Sequence, residues 1–90
     1  MIKQIKNTEL LKAFIMQKKC FKPIYEKYYD ETNPCKESLA KFVSRTTKPS
    51  FQMYWIVDNS TKVGQIWVAT KNNTAKLARL FVLTKYQNKG

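Results

Sequence analysis

Residues 51–83 read FQMYWIVDNSTKVGQIWVATKNNTAKLARLFVL, and along them apolar side chains recur with a period of two. Met53, Trp55 and Val57 alternate with Gln52, Tyr54 and Ile56, the pattern of a strand with two unlike faces. Asp58-Asn59-Ser60-Thr61 then makes a turn, and a second strand follows with Gly64 early and Ile66, Trp67 and Val68 inside it. Asn72-Asn73 can take the positive φ angles of a tight hairpin. Ala75 to Leu83 gives a third strand. The predicted strands are about 51–58, 63–71 and 75–83. Connections this short join only antiparallel neighbours, so the segment is a meander. Towards its end the third strand is apolar on both faces (Leu80, Phe81, Val82, Leu83), which predicts a central strand covered twice.

Upstream the period lengthens. Residues 1–6, with Ile2 and Ile5, form a strand candidate. Residues 8–46 form a helical region. Asn7 and Thr8 offer capping side chains, and Glu9 sits in the first turn, where the helix dipole favours an anion. Leu10, Leu11, Phe14 and Ile15 recur at helical spacing and predict a helix from Thr8 to about Lys19. Pro23 then opens a second short helix with Ile24, Tyr25, Tyr28 and Tyr29 on one face. Asn33-Pro34 repeats the start signal, placing Cys35, Leu39, Phe42 and Val43 on one face of the next helix, which Pro49 ends. The expected fold is a single mixed α+β domain, with strand, helical layer and three-stranded meander in that order.

Composition narrows the chemistry. The chain has no histidine and two cysteines, so it cannot supply the four Cys or His ligands of a structural zinc site, nor the base of a Ser-His-Asp triad. Cys20 and Cys35 read as separate buried thiols. No apolar run approaches the roughly 20 residues that span a bilayer, and Met1–Lys6 is not of signal-peptide type, so a soluble cytoplasmic protein is expected. Seventeen Lys+Arg against six Asp+Glu give a net charge of +11, which attracts polyanions. The basic residues are scattered, however, and form no block, which argues against a nucleic-acid binder. Only Arg45 and Arg79 are arginines.

The chain ends Arg79-Leu80-Phe81-Val82-Leu83-Thr84-Lys85-Tyr86-Gln87-Asn88-Lys89-Gly90, a buried strand running into a polar turn with glycine. Here it resembles the GNAT acetyltransferase superfamily, whose cofactor motif is an apolar strand followed by Q/R-x-x-G-x-G/A and a helix. Gln87-Asn88-Lys89-Gly90 matches the first four positions. The order strand, helices, meander and motif is similar to the first half of that fold, over essentially the whole chain. The resemblance implies an acetyl-CoA-dependent N-acetyltransferase, present as an N-terminal portion that stops inside the pyrophosphate loop 84–90. The acceptor would be an amine, on a small molecule or on a protein N-terminus or lysine. It also implies that backbone groups of Phe81 and Val82 pair with the pantetheine arm, and that Gln87, Asn88, Lys89 and Gly90 cradle phosphate. Exposed N–H groups and a helix N-terminus suit that task, and glycine permits close approach. No metal is implied.

The sequence departs from the pattern in places. Thr84 stands where many members have proline, and Asn88 where glycine is frequent. The fourth strand lacks the glutamate that some members use as a base, so the catalytic residues are left unassigned. Tyr28, Tyr29 and Asp30 are candidate acceptor-site residues, against the plainer reading of core aromatics and a turn cap. Trp55 and Trp67 read as sheet core, and Lys85 and Lys89 could add charge near phosphate. An alternative is a non-catalytic protein that self-associates or binds a partner, since an unpaired apolar edge at 75–83 invites a homodimer.

Overall fold

The computed structural model describes residues 1–86. It is a mixed α+β structure in which β1 (Ile2–Gln4), α1 (Leu10–Tyr28), α2 (Leu39–Thr46), β2 (Phe51–Asp58), β3 (Thr61–Lys71) and β4 (Thr74–Val82) follow in that order. The four strands form one antiparallel sheet in the order β1-β2-β3-β4. Both hairpins are two-residue turns with positive φ throughout, at Asn59 (49°) and Ser60 (67°), and at Asn72 (51°) and Asn73 (64°). Turns of this hand match the twist of the strands they join, and asparagine tolerates the left-handed region better than most residues.

The helices cover one face of the sheet. From β2 and β3 that face presents Met53, Trp55, Val63, Gln65 and Trp67, all buried. Ala13, Phe14 and Met16 come down on it from α1 and Phe42 from α2. Trp67 is the hub. Its ring meets Phe42, Phe51 and Phe81 edge-on at centroid distances of 5.8, 5.6 and 5.8 Å. Burying an aromatic side chain of this size contributes about 2–3 kcal/mol, and edge-on ring pairs add to it. α2 is short, so Phe42, with no exposed surface, is what holds it down.

Several expectations need correction. The two predicted helices on either side of Pro23 are one continuous α1. The stripe Leu10, Phe14, Gln17, Phe21 keeps helical spacing towards the proline, and its contacts with the sheet outweigh one missing N–H. Neither Asn7 nor Thr8 caps α1. Instead residues 7–9 form a 3-10 turn, and Glu9 Oε1 accepts the Lys6 N–H at 3.0 Å. The start signal at Asn33-Pro34 yields a 3-10 turn only, with Asn33 Oδ1 accepting the Cys35 N–H at 2.8 Å. α2 begins after Ser38, whose hydroxyl accepts the Lys41 N–H at 3.2 Å, and Leu39 is exposed rather than packed.

β4 is not central. Among the described residues it lies at the sheet edge, with Leu77 and Leu80 more than half exposed. A bulge explains part of this. Trp67 pairs with Arg79 and Val68 with Leu77, so Ala78 is the extra residue. One added residue reverses the facing of everything upstream of it, which turns Leu77 outward while Arg79 stays on the helix side. The outer face of the sheet carries Ile2, Ile56, Ile66, Val68, Leu77 and Leu80, and no helix of the described residues packs on it.

Candidate functional site

The strand expected to carry the cofactor is β4, and its position is set by Gly64 on β3. A Cβ built there would collide with the Phe81 carbonyl oxygen and lie 3.1 Å from Val82 Cα, so only glycine lets β4 come this close. Phe81 is buried, its ring edge-on to Trp67 and, at 5.4 Å, to Phe21. Leu83 donates its N–H to Val63 O at 2.8 Å. By strand alternation Phe81 also turns its backbone groups to β3, so of the two residues expected to meet the pantetheine arm only Val82 alternates outward, together with Leu80. Thr84–Tyr86 form a 3-10 turn after the strand. Gln87, Asn88, Lys89 and Gly90 lie outside the described residues.

The candidate acceptor residues sit at the far end of α1. Tyr28 and Tyr29 are exposed, and the plainer reading of both as core is therefore incorrect. Tyr29 ends the helix in the left-handed region (φ 53°), and its ring stacks edge-on to Tyr25 at 5.8 Å. Asp30 caps the following turn, accepting from the Thr32 hydroxyl and N–H, which together hold its carboxyl below the usual range. Trp55 and Trp67 are core, as expected. Cys20 and Cys35 are free thiols, and burial pushes Cys20 up to about 11.

Sequence reasoning missed the most organised polar feature of the molecule. Gln17, fully buried on α1, donates Nε2–H to Pro34 O at 3.1 Å and to Glu37 Oε1 at 2.9 Å. Its Oε1 accepts from Arg79 Nη1 at 2.9 Å. Arg45 grips Glu37 in a bidentate pair, with Nη2 2.6 and 2.8 Å from the two carboxylate oxygens and Nε at 3.1 Å. Burial pushes the Glu37 carboxyl up, but the hydrogen bonds from Arg45 and Gln17 and the two guanidinium charges outweigh it, and its pKa ends below the ordinary value. The Arg79 guanidinium is shifted down, first by desolvation and then by the Arg45 charge. Both guanidinium groups lie over the Trp67 ring, Arg45 at 5.0 Å and Arg79 at 4.7 Å from its centre. The signal for this cluster was in the sequence. The only two arginines of a lysine-rich chain meet at one ring, where a planar group can stack and an ammonium cannot.

An open pocket of about 650 Å³ lies against this network, between the 31–38 segment, α2 and β4. No helix of the described residues is long and apolar enough to cross a membrane. No protein-family model matches the chain, and no curated protein matches it in sequence.

Proposed function

We propose that residues 1–90 form the acetyl-CoA-holding part of a GNAT-type N-acetyltransferase, which moves an acetyl group to an amine. The observation that carries this reading is architectural. A first strand, two helices on one face and a β2-β3-β4 meander precede Gln87-Asn88-Lys89-Gly90 in the sequence. The position of β4 supports this reading. β4 is an edge strand, and no strand pairs with its outer side among the described residues. Acetyl-CoA supplies the activated acetyl thioester. Outward-facing backbone of β4 at Leu80 would align the extended arm beside the strand. A backbone N–H on that edge would polarise the carbonyl as charge develops on its oxygen. The attacking amine must give up a proton, and the group that takes it is unassigned.

Calorimetric titration of the chain with acetyl-CoA tests the proposal. Saturable binding that coenzyme A shares and acetate does not is the expected result. No binding at millimolar acetyl-CoA would overturn it.

A second reading is self-association without catalysis, favoured by the exposed apolar outer face around Leu77 and Leu80 on a strand that is the sheet edge among the described residues. Light scattering at high concentration separates the two. A dimer mass that Leu80→Lys reduces to a monomer supports it, and a monomer throughout removes it.

A further inference from the structure

The pocket over the Gln17–Glu37–Arg45–Arg79 network has a charge imbalance that its own residues do not correct. Lys36, Lys41, Arg45 and Arg79 line it against Glu31 and Glu37, four basic groups to two acidic. Glu37 is paired with Arg45, its two oxygens 2.6–3.1 Å from the Nε and Nη2 of that guanidinium, and reaches Arg79 only through its charge. Glu31 lies 3.8 Å from Lys36. Arg79 forms no ion pair among the described residues, and the one side-chain hydrogen bond it makes there goes to the neutral Gln17. Two like charges are thus held over one aromatic ring, with a partly buried guanidinium left to face the pocket.

Such an arrangement is costly unless something negative completes it. The scaffold is rigid enough to keep the cost. Gln17 ties Arg79 to α1 and to the 31–38 segment at once, and Glu37 fixes Arg45 in a forked pair. Trp67 supports both guanidinium planes from below. Guanidinium groups held in this way match the paired oxygens of a carboxylate or phosphate. Lys41, exposed on the first turn of α2, adds charge at the mouth. A basic surface alone would not mark a site, but these arginines are placed by buried partners and stand beside a pocket of ligand size.

We propose that this pocket binds the carboxylate or phosphate group of a small molecule, with Arg79 as the principal anchor and Arg45 and Lys41 beside it. The site does not depend on acetyl transfer, and the test is run without acetyl-CoA.

The chain has only two arginines, so a nitrogen-15 spectrum holds two Nε–H resonances, assigned by a single Arg79→Lys variant. The protein is titrated with inorganic phosphate and separately with succinate, with chloride holding ionic strength constant. A saturable shift of both arginine resonances is expected. Saturation by phosphate alone identifies a phosphoryl ligand, and by succinate alone a carboxylate. Arg79→Gln should weaken binding about tenfold or more, the cost of losing a charged hydrogen-bonding partner. Should that variant not fold, Lys41→Glu at the exposed mouth should weaken it several-fold. Shifts that do not saturate with either anion, or that chloride reproduces, overturn the proposal. Unchanged affinity in a folded Arg79→Gln or Lys41→Glu protein does so equally.

Discussion

Trp67 donates its Nε1–H to Gln65 Oε1 at 2.8 Å, between two fully buried residues on the same face of β3. The other end of that amide donates to Ala13 O at 3.0 Å, so one glutamine ties the sheet's central ring to the backbone of α1. Gln65→Leu keeps the volume and removes both partners. Ala13 O keeps its place in the helix ladder, so the Trp67 N–H is the group left unpaired, and the variant should lose about 1–3 kcal/mol of stability. Urea unfolding reads this directly, and a loss below about 0.5 kcal/mol would mean the amide is not holding either group.

Pro23 is exposed and lies inside α1, where it withholds an N–H from the helix ladder. Interior proline costs about 3 kcal/mol relative to alanine, and the stiffer unfolded chain returns up to about 1 kcal/mol. Pro23→Ala should therefore raise stability by about 2 kcal/mol. A lower melting temperature would show that the proline sets a bend on which packing at Phe21 depends.

Glu9 links three parts of the fold. Its carboxylate accepts from Lys62 Nζ at 2.8 Å and from the Lys6 N–H, and these two contacts lead in lowering its pKa to about 2. The Trp55 N–H also favours the ionised form, although it does not reach hydrogen-bond geometry with any described residue. A carboxyl whose pKa is depressed on folding stabilises the native state above its unfolded pKa, and that stability is lost as pH falls through the folded value. The loss should therefore run from about pH 4.5 down to about 2. Glu9→Gln should remove this part of the acid dependence while costing about 1 kcal/mol or less at neutral pH. Identical stability profiles for the two proteins across that window would refute the assignment.

Gly64 sets the spacing between β3 and the end of β4. Gly64→Ala forces the Phe81 carbonyl to move, and overpacking of this kind costs about 1–3 kcal/mol. The amide signals of residues 80–83 should shift while those of the β2–β3 turn do not. If acetyl-CoA binds along β4, its affinity should fall in the same variant. A variant with wild-type stability and unmoved signals would show that β4 has room to spare.

The hairpins were legible because their code is local. Alternation along residues 51–57 and the paired asparagines at 72–73 need nothing beyond their neighbours. The extent of α1 was not, because Pro23 is a breaker by any local rule and Gln17 interrupts the apolar stripe with a polar side chain. That glutamine is tolerated only because Pro34, Glu37 and Arg79 meet it in space. The facing of β4 was illegible for another reason. A bulge at Ala78 leaves no mark in residue type, yet it decides that Leu77 points out and Arg79 in. Arg45 and Arg79 lie thirty-four positions apart in the sequence, and only the meander's return beneath α2 makes them neighbours.

The two hairpins also fix the order in which the sheet can assemble. β2, β3 and β4 are joined by turns of two residues, so their pairing closes small loops and costs little chain entropy. β1 is different. Its terminal ammonium reaches Val57 O across a separation of 56 residues, and only three residues pair with β2. Docking that strand closes a far longer loop than either hairpin does, so it is expected to pair late and to open early. The amides of Lys3 and Ile5 thus become a sensitive early reporter of unfolding, ahead of anything in the aromatic centre.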